Sequence, residues 1–158
     1  MTPAAPDRLL PPGVADMSVS KILVPVDGTP ESADAVAHAL AIVAERGGEL
    51  HLLHVRLPVE SCHAKLLVDG RTLHDWHREE GEQALAPSLA QCRAAGVEPL
   101  CHVIVGHLAE TIVRFAHEQH FGLVVMRRHP QAALTHLLLG SVCEDVQAQC
   151  RIPVTVLD

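Results

Sequence analysis

The chain has 158 residues and a formal net charge of −7 with histidine neutral, which excludes a broad cationic face for nonspecific nucleic-acid or anionic-membrane binding. Nearly half the residues are apolar, yet there are two Phe, one Trp and no Tyr, so the core has to be built from Val, Leu, Ile and Ala. The length fits one domain able to bury most of its apolar surface without staples.

Residues 1–19 are rich in Pro and Ala, lack a helical or strand period, and read as a mobile tail before a domain over 20–158. Met17 is a candidate true start. Ile22 to Val26 is a short apolar run that fits a strand buried on both faces. Asp27-Gly-Thr-Pro-Glu-Ser follows, and Thr29 is the expected N-cap of a helix with Pro30 in its first turn. Ala33, Val36, Ala37, Leu40, Val43 and Ala44 are its expected buried stripe, and Gly47-Gly48 its stop. Glu49 to Val55 is the second strand. Pro58 through Asp69 is irregular, and 58–75 lies where a cap over a site would be. A second helix is expected over 72–95, with Leu85, Leu89 and Cys92 on one face and Gly96 ending it.

Val97 to Val105 is the third strand, with Pro99 suited to an edge. Gly106 leads into a helix whose stripe is Ala109, Ile112, Val113 and Ala116. Leu123 to Met126 is the fourth strand. A last helix over 138–149 turns Leu139, Val142, Cys143 and Val146 inward, and Ile152 to Leu157 is the fifth strand. Strands alternate with helices throughout, which calls for a doubly wound α/β sheet of parallel strands joined by crossovers. No internal repeat and no second domain are evident.

The five cysteines (62, 92, 101, 143, 150) are odd in number, have no C-x-x-C spacing and follow no secretory apolar segment. They read as reduced thiols in a cytoplasmic setting. No run approaches the roughly 18 apolar residues of a membrane span. Among twelve histidines, His74/His77 and His117/His120 are i, i+3 pairs on expected helices, while His51 and His54 fall on opposite strand faces. Zinc wants three or four ligands, and neither H-E-x-x-H nor a Cys/His finger is present. Solvated or partly buried histidines are the simpler reading, and no metal site is expected. There is no G-x-S-x-G elbow. Cys62-His63 are loop neighbours, which rarely form a catalytic pair. No catalytic residue is assigned.

Residues 122–142 read as a buried strand, a loop, then Gly140-Ser141 opening a helix. Together with Lys21-Ile-Leu-Val-Pro-Val-Asp-Gly-Thr-Pro-Glu-Ser32, His51-Leu-Leu-His-Val55 and Cys150-Arg-Ile-Pro-Val-Thr-Val156, this order resembles the universal stress protein family. The resemblance covers the chain from Ser20 to Asp158. It implies a three-layer α/β/α fold with a five-stranded parallel sheet of order 3-2-1-4-5, homodimers, and a cytoplasmic stress-response role. One branch of the family binds ATP, with Mg2+, and the other does not.

Nucleotide-binding members carry G-x2-G-x9-G-[S/T]; here Arg127 and Pro130 stand at the two leading glycines, while Gly140 and Ser141 remain. Carried over by position, the contacts would be Val26, Asp27, Val55, Met126, Arg127, His129, Pro130, Gly140, Ser141 and Val142. Bland readings stand beside these: Asp27 is also ordinary turn chemistry, Val26 and Val55 are core, and Ser141 suits a first helical turn. Gly140-Ser141 would offer helix N–H groups to an anion. Arginine adds bulk where a phosphate would lie, and proline removes a donor and fixes φ.

The leading expectation is a regulatory or protective module, with impaired or absent ATP binding and no robust catalysis. It would act through dimerisation and protein partners, pairing through or near Ile152 to Leu157, an apolar edge in need of cover. The alternative is an adenine-nucleotide sensor, ATP or AMP, in which Arg127 and Arg128 replace lost N–H donors by charge. A weak ATPase ranks last, since no water-orienting group can be named.

Overall fold

The computed structural model describes residues 20–57, 73–128 and 142–158, with side chains from residue 78 onward in the second segment. The expected tail, the 58–72 stretch with Cys62-His63, and residues 129–141 lie outside the described residues, as do the side chains of His74 and His77.

Among the described residues the strands are β1 (Lys21–Pro25), β2 (Glu49–Arg56), β3 (Leu100–Val105), β4 (Leu123–Arg127) and β5 (Val154–Leu157). The helices are α1 (Ser32–Arg46), α2 (Leu73–Ala94), α3 (Leu108–Glu118) and α4 (Val142–Gln149). All strand pairs are parallel and the sheet order is β3-β2-β1-β4-β5, as the resemblance implied. β1 is central and matches Ile22 to Leu50 on one side and to Leu123 on the other. None of the described helices is long and apolar enough to cross a membrane.

A strand buried on both faces needs apolar residues at consecutive positions. Ile22, Leu23 and Val24 meet that demand and are fully buried. Ile22 and Val24 face one layer with Leu52, Val125, Ala39 and Ile42. Leu23 faces the other with Leu53, Val124, Ile112 and Val146. α1 and α2 therefore cover one face, α3 and α4 the opposite one. Each such aliphatic side chain removed from water stabilises the fold by about 1.5–3 kcal/mol.

Three expectations need correction. The α1 stripe is out of phase: Ser32, Ala35, Val36, Ala39 and Ile42 are buried, whereas Ala33, Ala37 and Ala44 are exposed. Alanine lies all around this helix, so its apolar period had no sharp phase. Thr29 is not the N-cap. Glu31 occupies that place without a side-chain cap bond, because Thr29 is already bonded to Asp27. β3 starts three residues late, because the Val97 N–H is spent on the Cys92 carbonyl at 2.9 Å in the exit of α2. Pro99 then sits just ahead of the edge strand.

α2 comes down on the sheet through Gly81. A Cβ there would lie 2.5 Å from Val103 Cγ1, so only glycine permits this approach. Gly81, Leu85, Ser88 and Cys92 form the buried stripe of α2, with Leu89 half-buried beside it.

Candidate functional site

In an open parallel sheet the crevice outside the carboxyl ends of the strands, where strand order reverses, is the natural binding place. Here β1 has β2 on one side and β4 on the other, and a cleft of about 70 Å³ opens at that point. Of the ten positions singled out in the sequence, Val26, Asp27, Val55, Met126, Arg127 and Val142 line it. His129, Pro130, Gly140 and Ser141 lie outside the described residues. Pro25 and Ser32 also line it, as do Leu53, Leu108, Ile112 and Cys143, none of them anticipated as site residues. The signal of the last four was hidden because each also reads as ordinary core.

Val26 continues β1, its N–H donating to the Leu53 carbonyl at 2.8 Å. Its own carbonyl lies 2.9 Å from His54 Nδ1. A carbonyl only accepts, so this buried imidazole carries its proton on Nδ1. One Asp27 carboxylate oxygen accepts the Thr29 N–H at 2.9 Å, the Thr29 hydroxyl at 2.6 Å and the Ser32 hydroxyl at 2.9 Å. Asp27 thus builds the turn from strand to helix as well as facing the cleft. Gly28, at φ 84, has the left-handed backbone this turn requires.

Arg127 closes the β4 side. Its Nη1 donates to the Asp158 carbonyl oxygen and lies 3.6 Å from the Asp34 carboxylate on α1. Among the described residues its buried Nε has no acceptor. The Arg127 carbonyl takes a weak contact from Cys143 Sγ at 3.8 Å. Burial pushes the Cys143 thiol above its ordinary pKa despite the nearby Arg128. Arg128 pairs with Glu144 and, at 2.9 Å, with Asp158. Both arginine heads are thus held by acidic or carbonyl oxygens of the chain itself. Asp34, Glu144 and Asp158 were missed as their partners, because they are far apart in sequence and only the fold assembles them.

Val26, Leu53, Val55, Ile112 and Met126 offer apolar walls suited to a flat ring, with Asp27 as the polar group at the rim. The glycine-dependent phosphate cradle would involve 129–141, outside the described residues. Among the described residues no group of three His, Cys, Asp or Glu is placed to hold a metal. His117 and His120 do not share a helix face: α3 ends at Glu118, and His120 has φ 56 in the following turn.

The universal stress protein family model matches residues 18–158. A universal stress protein of Methanocaldococcus jannaschii, MJ0531, is 30% identical over 144 residues, covering 87% of this chain and 81% of the relative. The solved structure of the hypothetical protein MJ0577 superposes with a TM-score of 0.71 at 26% identity, covering 89% of this chain and 96% of that one. A universal stress protein solved in complex with cAMP has the same fold, with a TM-score of 0.63 at 21% identity over 89% and 98% of the two chains. A match that runs through the whole sheet rather than one motif makes this chain a member of the universal stress protein family.

Proposed function

We propose that this protein is a stress-response module that acts through self-association and partner binding, and that its cleft has lost ordinary ATP binding. The observation that carries this reading is Arg127. Its side chain stands at a leading glycine position of the phosphate loop and ties β4 to Asp34 and Asp158. A triphosphate would have to displace those contacts and accommodate the added bulk.

A second reading keeps the adenosine half of the site and changes only the anion end. It is favoured by the buried Arg127 Nε, which has no acceptor among the described residues, and by the apolar wall beside Val26 and Val55. A universal stress protein of the same fold was solved in complex with cAMP, which supports an adenosine phosphate as the ligand class to test. In this reading, one phosphate oxygen accepts from Arg127 Nε.

The experiment is to denature freshly purified protein, identify any released nucleotide by chromatography and mass, and then measure thermal shifts with ATP and Mg2+, AMP and cAMP. No release and no shift support the interaction module. A shift with AMP or cAMP but not ATP supports the second reading. Stoichiometric ATP or ADP refutes the loss of ATP binding.

Self-association is assigned to β5, whose outer edge has no strand neighbour among the described residues. Such an edge invites a second strand. A chain starting at Met17 stays dimeric by light scattering if β5 pairs with its counterpart. A shift to monomer on that truncation would instead implicate residues 1–16.

A further inference from the structure

The chain has only two phenylalanines, and both pack on a pair of histidines. His51 and His102 lie in nearly parallel planes, 3° apart, with centroids at 5.1 Å. Phe121 meets His51 edge-on at 4.8 Å, and Phe115 meets His102 at 4.8 Å. His51 Nδ1 and His102 Nε2 are 2.9 Å apart, and His51 Nε2 is 3.1 Å from Glu49 Oε2. This cluster joins β2, the edge strand β3 and the end of α3. It lies toward the amino ends of the strands, away from the cleft.

The proton arithmetic is constrained. With both rings neutral, His51 donates Nε2–H to Glu49, so its Nδ1 accepts from His102 Nε2–H. One added proton leaves a bond in place on either ring: on His102 Nδ1, with Nε2–H still donating, or on His51 Nδ1, which then donates to His102 Nε2 while His102 carries its proton on Nδ1. Two added protons put N–H against N–H at hydrogen-bond distance, between two cations. The bond then cannot form, and the rings must part.

We infer that Glu49, His51 and His102 form an acid-sensitive latch holding β3 to the sheet, kept while the pair carries at most one extra proton and released by the second. The inference is independent of what the cleft binds. The charges around the pair set its threshold. From β1, Lys21 lies 4.9 Å from the Phe121 ring centroid and donates to the Gln119 carbonyl, so it opposes protonation. From β2, the Glu49 carboxylate faces His51 Nε2. α3 presents Phe115; its Glu110 and Arg114 pair with each other, His117 accepts the Arg151 N–H, and Glu118 is exposed. Burial, His51 and Lys21 together hold the His102 imidazole below its ordinary pKa.

Such a depressed imidazole binds fewer protons folded than unfolded. Its contribution to stability is therefore full above the ordinary histidine value and is lost as pH falls through the lower folded value. β3 is an edge strand with Leu100 and Val105 half exposed, so its release would uncover strand-pairing groups and apolar surface.

The test is NMR titration of the histidine ring protons in the full chain, with amide exchange on β3 corrected for intrinsic rate. His102→Gln is the comparison, because its amide still donates to His51 but does not titrate. The expected result is a two-step titration for His51 and His102, with one step below the ordinary histidine value of about 6.5. On going from about pH 7.5 to 5.5, β3 amides exchange roughly tenfold faster relative to β1, and Tm falls several degrees further in wild type than in His102→Gln. Equal acid dependence of the two proteins overturns the latch. So do two rings titrating in single steps at the ordinary value, a readout that needs only wild type if His102→Gln does not fold.

Discussion

At the residue scale, one substitution type dominates the site. Where a glycine would let backbone N–H groups wrap a phosphate, Arg127 brings a β-carbon and a guanidinium held by Asp34 and Asp158. The double change Arg127→Gly with Pro130→Gly is expected to create ATP binding measurable by calorimetry. A wild type that already binds equally well would show that the loop is not the defect.

Cys92 makes a second prediction at this scale. Burial is the largest cause, and Cys101 and Glu98 add to it, in pushing its thiol from 9.0 to about 11. A raised acid favours the folded state while neutral, so this stability is present below pH 9.0 and is lost as pH rises toward 11. Cys92→Ala is expected to flatten the alkaline limb of a Tm-against-pH curve. Fully buried Cys92 should also resist alkylation until unfolding, while the exposed Cys101 reacts in the native state. Equal labelling of both would refute the packing described.

At the scale of elements, the phase of α1 is the sharpest test. Ala39 is fully buried against the sheet and Ala37 is exposed, although both sat on an apolar-looking helix. Ala39→Leu should overpack the layer and cost about 1–3 kcal/mol, whereas Ala37→Leu should stay within about 0.5 kcal/mol of wild type. Urea melts of the two variants decide it, and a reversed order would restore the stripe expected from periodicity. α3 was better specified. Ile112, Val113 and Ala116 are buried as their spacing predicted, because charged Glu110, Arg114 and Glu118 mark its outer face. The difference lies in contrast: an apolar stripe is legible only when the other face is polar.

At the scale of the whole molecule, two core layers share one sheet. Ile42 belongs to the layer under α1 and Ile112 to the layer under α3. Ile42→Val and Ile112→Val should each cost about 0.5–1.5 kcal/mol, add to within about 0.5 kcal/mol when combined, and leave one cooperative transition. Two separated transitions would mean that the layers unfold independently.

The sequence by itself determined the strand-helix alternation, the burial of β1 on both faces and the resemblance that carried the 3-2-1-4-5 order. Consecutive apolar runs and helical spacing are local properties, so they survive without coordinates. It also placed Val26, Asp27, Val55, Met126, Arg127 and Val142, which the fold brings to one cleft. Only the tertiary structure decided what those residues touch. Asp27 proves to be committed to Thr29 and Ser32, and Arg127 to Asp34 and Asp158. His51 meets His102 across two strands, beside the chain's two phenylalanines. Carboxylate, guanidinium and imidazole contacts depend on where distant segments cross, and no periodicity along the chain records those crossings.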